Sequence, residues 1–385
     1  MKANYIALSA AAITLTLASC SNDELESLTN SPQNAIGFSA VNNHVSRATP
    51  ITSANSMEKF NVYAFTTTGN KPFMGTADND FGTSGGITIK NGNYNTENTA
   101  NWTYDNLGDI HYWPTDALNF YAVSPISAAT ELGYKWKFTG TSNEITYTCS
   151  DEYENDATAK NVDVMYAIAK NQSKPTDGKV NLHFHHILSQ VVFSAKTEYT
   201  NMKVEINSIK IKNLKNSGTF TLPEDGAAGS GTWDITGAET YNPTVTKTPI
   251  VISTTTSGAT TPETKEITSA TNNPLMVIPQ KPTAWVPSNT TVIADSQQQT
   301  YLEISCKISQ NGVYIFGGDE YETIYVPFGG DKCDWKPGKR YIYTLIFGGG
   351  YDANGNAVLT PINFTADVES WDGSNTIEED LPLKP

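Results

Sequence analysis

Residues 118–125 read Leu-Asn-Phe-Tyr-Ala-Val-Ser-Pro, and this stretch is the clearest indicator of the fold class. It is a short apolar run, rich in the aromatic and branched residues that favour strands over helices. Pro114 precedes the run and Pro125 closes it, so turns bound it on both sides. The pattern predicts a β-strand whose two faces are both buried.

Similar segments recur along the chain, separated by turn residues, and long stretches of helical periodicity are absent. The other predicted strands are residues 60–65, 134–138, 145–149, 162–169, 180–184, 191–195, 204–211, 274–278, 301–308, 313–316, 323–326, 341–347 and 361–368. Residues 244–273 are Thr-rich and weakly patterned, which predicts a long surface loop or hairpin. The number of short strands predicts an all-β protein of two antiparallel β-sandwiches.

Length and composition are typical of an exported β-protein. The 385 residues fit two domains. The formal charge of −15 is opposite to the basic footprint of a nucleic-acid-binding protein, so no nucleic-acid partner is expected. The polar segment Lys170–Lys179, which contains Pro and Gly, is the best interdomain boundary. It divides the chain into domains at 48–178 and 179–385.

The first residues predict a secretory signal. Lys2 is followed by an apolar run to Ala18, and Leu-Ala-Ser precedes Cys20, an order that resembles the bacterial lipobox. Residues 1–19 are then the signal peptide, and Cys20 carries the lipid anchor in the outer membrane. The alternative is cleavage nearby with an unrelated Cys. The acidic run behind Cys20 resembles the surface-export signal of Bacteroidetes lipoproteins, although it also fits a solvated tether.

A series of motifs runs through the rest of the chain in a fixed order. They are residues 36–40 (IGFSA), 46–49 (SRAT), 60–65 (FNVYAF), 112–114 (YWP), 118–125 (LNFYAVSP), 163–167 (DVMYA), 184–189 (FHHILS), 335–338 (WKPG), 341–343 (YIY) and 368–371 (VESW). The ordered set resembles the Bacteroidetes fimbrillin-like lipoproteins, which include the Mfa-like and FimA-like type V pilins. The resemblance implies two transthyretin-like β-sandwiches, export as a lipoprotein, cleavage by an Arg-specific protease, and assembly by strand exchange.

The distribution of arginine agrees with such processing. The chain has only two arginines, Arg47 and Arg340. Arg340 is at the start of a predicted strand, where it would be shielded. Arg47 lies in a polar, poorly patterned stretch of the kind that proteases cut. Cleavage would make Ala48 the first residue and would remove the segment 20–47, including the lipid at Cys20.

The segment 20–47 also contains Ile36 and Phe38. If these residues belong to a removable first strand, its loss opens an apolar groove with unpaired backbone groups, which a strand from another subunit can fill. The alternative is that Arg47 is an ordinary surface residue and the chain stays lipidated. The tail Asp372–Pro385 is a poor donor strand because it carries acidic residues and two prolines. The donor is then the strand around residues 362–368, or the chain is a tip subunit that only accepts.

Two aromatic side chains are candidates for ligand contact. Trp102 and Tyr104 follow a Gly/Asn-rich stretch, and exposed aromatic faces stack on sugar rings. Tyr112 and Trp113 belong to a motif of the family resemblance, so they are expected in the core.

Other groups that could carry chemistry have ordinary structural explanations. His183, His185 and His186 lack an adjacent third ligand, so structural roles are favoured over a metal site. Residues 82–86 (GTSGG) fit a nucleophile-elbow pattern but precede a predicted strand, which indicates a hairpin turn. The acidic run 151–156 is a solvated loop in preference to a calcium site.

Three cysteines remain once Cys20 is lipidated, namely Cys149, Cys306 and Cys333. An odd number cannot pair fully within one chain. A disulfide between Cys306 and Cys333 and a set of buried free thiols are both open.

Three functions follow from these features. The first is a fimbrial subunit at the cell surface that mediates adhesion, with other pilin subunits and an Arg-specific protease as partners. The second is an uncleaved outer-membrane lipoprotein that binds a glycan or a host protein. The third is an envelope hydrolase, which would need a converging set of ionisable residues that the sequence does not show. We therefore expect neither an enzyme nor a cofactor.

Overall fold

The computed structural model describes residues 34–41, 57–77, 80–96, 98–126, 133–149, 161–197, 199–224, 231–246, 249–253, 263–268, 274–287, 299–351, 357–359 and 363–370. The prediction of an all-β fold is confirmed, since these residues form strands and loops with only short 3-10 turns at Leu107–Asp109 and Gly330–Cys333. The predicted strand at residues 118–123 is confirmed as the strand Leu118–Ser124. No helix within the described ranges is long and apolar enough to cross a membrane.

The first half of the chain builds an eight-stranded sheet. Its strands are β1 (Gly37–Val41), β2 (Lys59–Thr66), β3 (Pro72–Met74), β4 (Ile87–Asn91), β5 (Trp102–Tyr104), β6 (Leu118–Ser124), β9 (Met165–Gln172) and β10 (Lys179–His186). The spatial order is β1-β10-β9-β6-β2-β4-β5, with β3 added beside β2. The terminal strands β1 and β5 also contact each other, so the sheet is rolled around an inner core.

Both faces of the central strands of this sheet are buried. In β2, Phe60 and Val62 enter the inner core, whereas Tyr63 and Phe65 on the opposite face join a second core. β6 alternates in the same way. Because successive side chains of a strand point to opposite faces, a strand between two apolar layers is apolar throughout. This accounts for the apolar run at 118–123, which is interrupted only by Asn119.

A four-stranded sheet covers the outer face of the rolled sheet. It has the order β15-β14-β8-β7, formed by β7 (Tyr134–Phe138), β8 (Asn143–Thr148), β14 (Ser217–Thr221) and β15 (Thr232–Asp234). β14 comes from the second half of the chain, yet it pairs with β8 from the first half. The two halves are therefore joined by a shared sheet.

Two further sheets face each other in the second half. One contains β11 (Ser189–Thr197), β19 (Lys265–Glu266), β20 (Leu275–Val277), β24 (Lys339–Phe347) and β27 (Asn363–Ser370), in the order β19-β11-β24-β27 with β20 beside β11. The other contains β12 (Met202–Lys212), β17 (Thr244–Thr246), β18 (Ile250–Ser253), β21 (Tyr301–Gln310), β22 (Val313–Phe316), β23 (Glu322–Pro327), β25 (Gly349–Tyr351) and β26 (Ala357–Leu359). A small pair is formed by β13 (Leu214–Lys215) and β16 (Thr240–Tyr241).

Two details differ from the sequence-based expectations. The strand that begins at Lys179 pairs with β9 and β1, so the rolled sheet continues beyond the boundary predicted between residues 178 and 179. The chain enters the next sheet only at Ser189. In addition, two of the described strand pairs are parallel, β1 with β10 and β11 with β24. Parallel neighbours need long connections that a pattern of adjacent hairpins does not reveal.

Candidate functional site: the first strand and its groove

β1 is an edge strand that carries a large share of buried apolar surface for its length. Its five residues pair in parallel with Lys179–His183 of β10, and no other described strand is hydrogen bonded to it. Ile36, Phe38 and Ala40 point into the inner core and are 0%, 4% and 8% exposed. β1 therefore lies in a groove of the rolled sheet between β10 and β5.

The Phe38 ring lies at the centre of this groove. Its centroid is 6.1 Å from the ring centroids of Phe60, Tyr104 and Phe120, each in an edge-to-face arrangement. These rings come from β2, β5 and β6, none of which is paired with β1, so Phe38 contacts strands that are not neighbours of β1 in the hydrogen-bonded order. Removing it would leave a cavity lined by aromatic rings.

The N-terminal end of β1 is fixed by backbone hydrogen bonds. The Ile36 amide donates to the His111 carbonyl at 2.8 Å, and the Gly37 amide donates to the Gly178 carbonyl at 2.9 Å. The Tyr104 hydroxyl donates to the Ile36 carbonyl at 2.9 Å. Loss of β1 and Ile36 would remove the donor to the His111 carbonyl and the acceptor of the Tyr104 hydroxyl, which is costly for buried groups.

Tyr104 closes the seam of the rolled sheet and does not serve as a surface platform. It is 9% exposed, and burial raises the pKa of its hydroxyl to about 12. Its prediction as an exposed ligand contact is therefore wrong. Trp102 is half-buried, with its ring centroid 5.0 Å from that of Phe60. Because side chains alternate between the two faces of a strand, Trp102 and Tyr104, two positions apart, share the inner face.

The motif containing Tyr112 and Trp113 divides between core and surface. Trp113 packs on Phe120 at a centroid distance of 5.9 Å, as expected for a core residue. Tyr112 is 43% exposed, so the expectation of core packing is wrong for it. The two residues are adjacent, and their side chains point in different directions.

Of the two arginines, only Arg340 lies within the described residues. It is 8% exposed at the second position of β24, and its Nε donates a hydrogen bond to Gln190 Oε1. The predicted shielding of Arg340 is confirmed. Arg47, Ala48 and Cys20 lie outside the described residues, so lipidation at Cys20 and cleavage after Arg47 stay predictions.

The strand predicted as an alternative donor is β27. It pairs in antiparallel register with β24 and with no other described strand. Phe364 is 8% exposed and packs on Phe328 and Tyr343 at centroid distances of 5.4 and 5.8 Å. β27 is thus a second edge strand with a buried Phe, and the tail 372–385 lies outside the described residues.

The remaining candidate groups have structural positions. His186 Nδ1 lies 2.7 Å from Asp163 Oδ1 in a buried pair, while His183 on the other face of β10 is exposed. The described ranges contain no group of three or more His, Cys, Asp or Glu side chains that could hold a metal ion. The acidic run 151–156 lies outside these ranges.

The three cysteines are buried free thiols, which decides between the two open alternatives for Cys306 and Cys333. Burial raises the pKa of both of these thiols to about 12. Their chemistry is therefore suppressed in the folded protein.

Sequence reasoning identified Ile36 and Phe38 but missed three features of the site. These are the parallel pairing with β10, the buried Ala40, and the closing role of Tyr104. The alternation of Ile36, Phe38 and Ala40 is the signal that could have shown one buried face. Nothing local in the sequence indicates the partner strand, which lies about 140 residues further along the chain.

Comparison with known proteins adds the family context. A family model described as fimbrillin-like matches residues 46–371. The fimbrium subunit Fim1C of Phocaeicola vulgatus is 25% identical over 221 residues, which is 54% of this chain and 52% of that protein. The chain thus matches about half the length of this curated relative. The crystal structure of a fimbrial protein from Bacteroides vulgatus has the same fold, with a TM-score of 0.55 and 16% identity, covering 88% of this chain and 99% of that one.

Proposed function

This chain belongs to the fimbrillin-like family, and on that premise we propose that it is a subunit of a cell-surface fimbrium that assembles by strand exchange. It is exported as a lipoprotein through Cys20 and then cleaved after Arg47. β1 is lost with the cleaved segment, and a strand of another subunit takes its place. Adhesion is the role of the assembled fimbrium, and no enzymatic step is needed.

The observation that carries this proposal is the position of β1 in the chain and in the sheet. Arg47 lies six residues beyond the end of β1 at Val41 and twelve residues before the start of β2 at Lys59. A single cut after Arg47 therefore separates β1 from every other strand that the structure describes. After the cut, only non-covalent contacts hold β1 in its groove.

Those contacts are strong enough to keep the groove closed before cleavage and weak enough to be exchanged afterwards. Burial of the Ile36 and Phe38 side chains contributes roughly 1.5–3 kcal/mol each. Association of a separate peptide costs an estimated ~4–15 kcal/mol in lost freedom. Before the cut this cost is largely absent because the chain is continuous. After the cut, the free energy gained by burying these side chains is comparable to the cost of associating a separate peptide, so the peptide can leave.

The donor is assigned by a repeated sequence pattern. β1 and its preceding residue read Ile36-Gly-Phe38-Ser-Ala40, and residues 362–366 read Ile-Asn-Phe-Thr-Ala. In both cases Ile, Phe and Ala occupy alternate positions, which is the spacing of one face of a strand. β27 and the residue before it can thus present to the groove the same three types of apolar side chain that Ile36 and β1 present.

Two other segments have similar patterns but cannot be donated. Residues 118–122 read Leu-Asn-Phe-Tyr-Ala, and residues 191–195 read Val-Val-Phe-Ser-Ala. The first segment lies in β6, which is paired with β9 on one edge and with β2 on the other. The second lies in β11, which is paired with β24 on one edge and with β19 and β20 on the other. A central strand has partners on both edges and would break two ladders on leaving. β27 pairs on one edge only, so it is the better donor.

Exchange of β27 moves the same side chains between two buried sites. In its own subunit, Phe364 packs on Phe328 and Tyr343, with Lys332 Nζ 4.5 Å above its ring. In the next subunit it would take the place of Phe38. Because an apolar contact is lost and another is gained, the net free-energy change is small, as in domain swapping. One adjustment is needed, because Asn363 of the donor would take the position of Gly37. A Cβ there would lie 3.0 Å from Lys179 Cγ, and the flexible Lys179 side chain can move.

The experiment is to cleave the purified protein with an Arg-specific protease and to follow oligomers that resist detergent. We expect a new N-terminus at Ala48 and a ladder of oligomers. Arg47→Lys should remain uncut and monomeric. Phe364→Ala should be cut normally but form few oligomers, whereas Thr365→Ala, on the exposed face of the same strand, should behave like the wild type. A cut protein that stays monomeric would overturn strand exchange.

Processing in the cell is tested separately by the intact mass of protein sheared from native cells. A chain that starts at Ala48 without lipid supports cleavage and assembly. A triacylated Cys20 on all of the protein would contradict cleavage. It would also support the uncleaved lipoprotein, although burial of Tyr104 removes one of the two aromatic side chains on which its ligand site was based.

A further inference from the structure

An exposed apolar patch lies at one end of the second half of the molecule. Val313, Tyr314 and Ile315 of β22 are 66%, 46% and 39% exposed, and Tyr199 in the β11–β12 turn is 39% exposed. Because side chains of a strand alternate between its faces, Val313 and Ile315 share one face of β22, whereas Tyr314 lies on the other and its hydroxyl donates to Glu205 Oε1 at 3.4 Å. We call Val313, Ile315 and Tyr199 the tip patch. β22 is an edge strand that pairs only with β21 among the described strands, and apolar edge strands without cover tend to pair or dock with other chains.

The tip patch is held in place by the neighbouring turn. The Asn311 amide donates to the Asn201 carbonyl at 3.1 Å, and Asn201 Nδ2 donates to Asn311 Oδ1 at 2.8 Å. Asn311 and Gly312, both with positive φ, form the tight turn that leads into β22. The two hairpin turns at this end are therefore linked, and the patch is presented on a fixed scaffold.

The tip patch is at the end of the sandwich where the donor strand begins. β11 and β24 run in parallel and end together at Thr197 and Phe347. Asn363, the first residue of β27, pairs with Ile346 at that same end. When β27 leaves its sheet for another subunit, the chain that leads into it departs from the neighbourhood of the tip patch.

A second apolar patch lies where β1 enters its groove. Leu107 is 75% exposed and Tyr112 is 43% exposed. In the sequence, Leu107 lies between Tyr104 and His111, and both of these residues contact Ile36. The Tyr104 hydroxyl donates to the Ile36 carbonyl, and the Ile36 amide donates to the His111 carbonyl. We call Leu107 and Tyr112 the entry patch. It marks the N-terminal end of β1, where a strand inserted in the same direction would also enter.

We propose that in the assembled fimbrium the tip patch of one subunit packs on the entry patch of the next subunit. This inference rests on the proposed strand exchange. To place residues 362, 364 and 366 where Ile36, Phe38 and Ala40 lie, β27 must run parallel to β10 of the acceptor. Its leading end then meets the entry patch, and that end emerges beside the donor's own tip patch. The occupant of each patch is therefore a second copy of this chain.

The two patches differ in composition, so the contact is head-to-tail and not self-complementary. A contact of this kind repeats from one subunit to the next without closing, as a filament requires. The direction of the chain supports this arrangement. β10 runs toward the junction at Ile187 and Leu188, and β11 runs on from it. The entry patch and the tip patch thus lie at the far ends of two consecutive strands.

The test compares the double variant Val313→Asp/Ile315→Asp with Val286→Asp. Val286 is a matched control because it is 64% exposed and lies beside Gln299, at the opposite end of β21 from the tip patch. Each protein is cleaved after Arg47 and tested in two ways. The first is binding of a synthetic peptide of residues 361–370, which reports on the groove alone. The second is the rate at which detergent-resistant oligomers form.

We expect the double variant to bind the peptide within about twofold of wild type and to assemble at least about tenfold more slowly, whereas Val286→Asp matches wild type in both assays. Leu107→Asp should reproduce the defect. Equal assembly rates for the double variant and the control would overturn the inference. Failure of the wild-type protein to bind the peptide or to assemble would instead overturn the proposed strand exchange.

A cross-linking experiment distinguishes the head-to-tail contact from a tip-to-tip contact. The double variant Leu107→Cys/Val313→Cys should form disulfide-linked ladders longer than dimers when the cleaved, assembled protein is oxidised. Leu107→Cys/Val286→Cys should not. Cross-linking of Val313→Cys alone into dimers would show that two tip patches meet, and that result would contradict the inference.

Discussion

The replacement Phe38→Ala tests whether β1 closes the inner core of the uncut protein. Phe38 is 4% exposed and its ring contacts three aromatic rings at 6.1 Å. Truncation of a buried Phe costs about 3–5 kcal/mol, which includes the cavity that remains. We expect the free energy of unfolding of the uncut protein to fall by this amount. The measurement is guanidinium unfolding followed by tryptophan fluorescence.

The same replacement makes a second, opposite prediction after cleavage. Because 1.4 kcal/mol corresponds to a factor of ten, the cleaved β1 peptide should be held roughly a hundred to a few thousand times more weakly. Release of the peptide and assembly should therefore be faster for Phe38→Ala than for wild type. The matched control is Tyr94→Ala, which removes an exposed ring that belongs to neither patch and should change the unfolding free energy by less than about 0.5 kcal/mol.

Two results would refute this reasoning. The first is an unfolding free energy for uncut Phe38→Ala within about 1 kcal/mol of wild type, which would mean that the groove does not depend on β1. The second is normal destabilisation of the uncut protein with unchanged assembly after cleavage. In that case β1 would be a core strand, but its release would not limit exchange.

Three further outcomes follow from the structure. Limited digestion of the folded protein with an Arg-specific protease should give one cut, after Arg47, because Arg340 is buried; a cut at Arg340 in folded protein would contradict its shielding. Cys306 and Cys333 should stay unreactive toward a thiol reagent at pH 8 and react only on unfolding, because burial raises the pKa of both thiols to about 12; fast labelling without denaturant would argue against this burial. The pKa of Tyr104 is raised to about 12 from its ordinary value of 10, so its contribution to stability is complete below pH 10 and is lost between pH 10 and 12. It amounts to about 3 kcal/mol. Tyr104→Phe should flatten this part of the pH profile, and an equal alkaline loss in that variant would assign the effect to other groups.

The sequence by itself determined the strands and the processing hypothesis. Predominantly apolar runs such as 118–123 predicted strands buried on two faces, and the structure confirms the strand Leu118–Ser124. Such predictions succeed because the period of two and the turn residues are local properties of the chain. The presence of only two arginines likewise requires no coordinates. Because Arg340 is buried, Arg47 is the arginine that remains as a candidate for cleavage.

Tertiary structure alone decided which strands meet and which aromatic residues are exposed. Pairing of β1 with β10 joins residues about 140 positions apart, and β14 crosses into a sheet with β8. The same non-local packing buried Tyr104 and left Tyr112 at the surface. Strand pairing over such distances depends on which apolar faces cover one another in the complete fold. A residue's own neighbours in the chain carry no information about that choice.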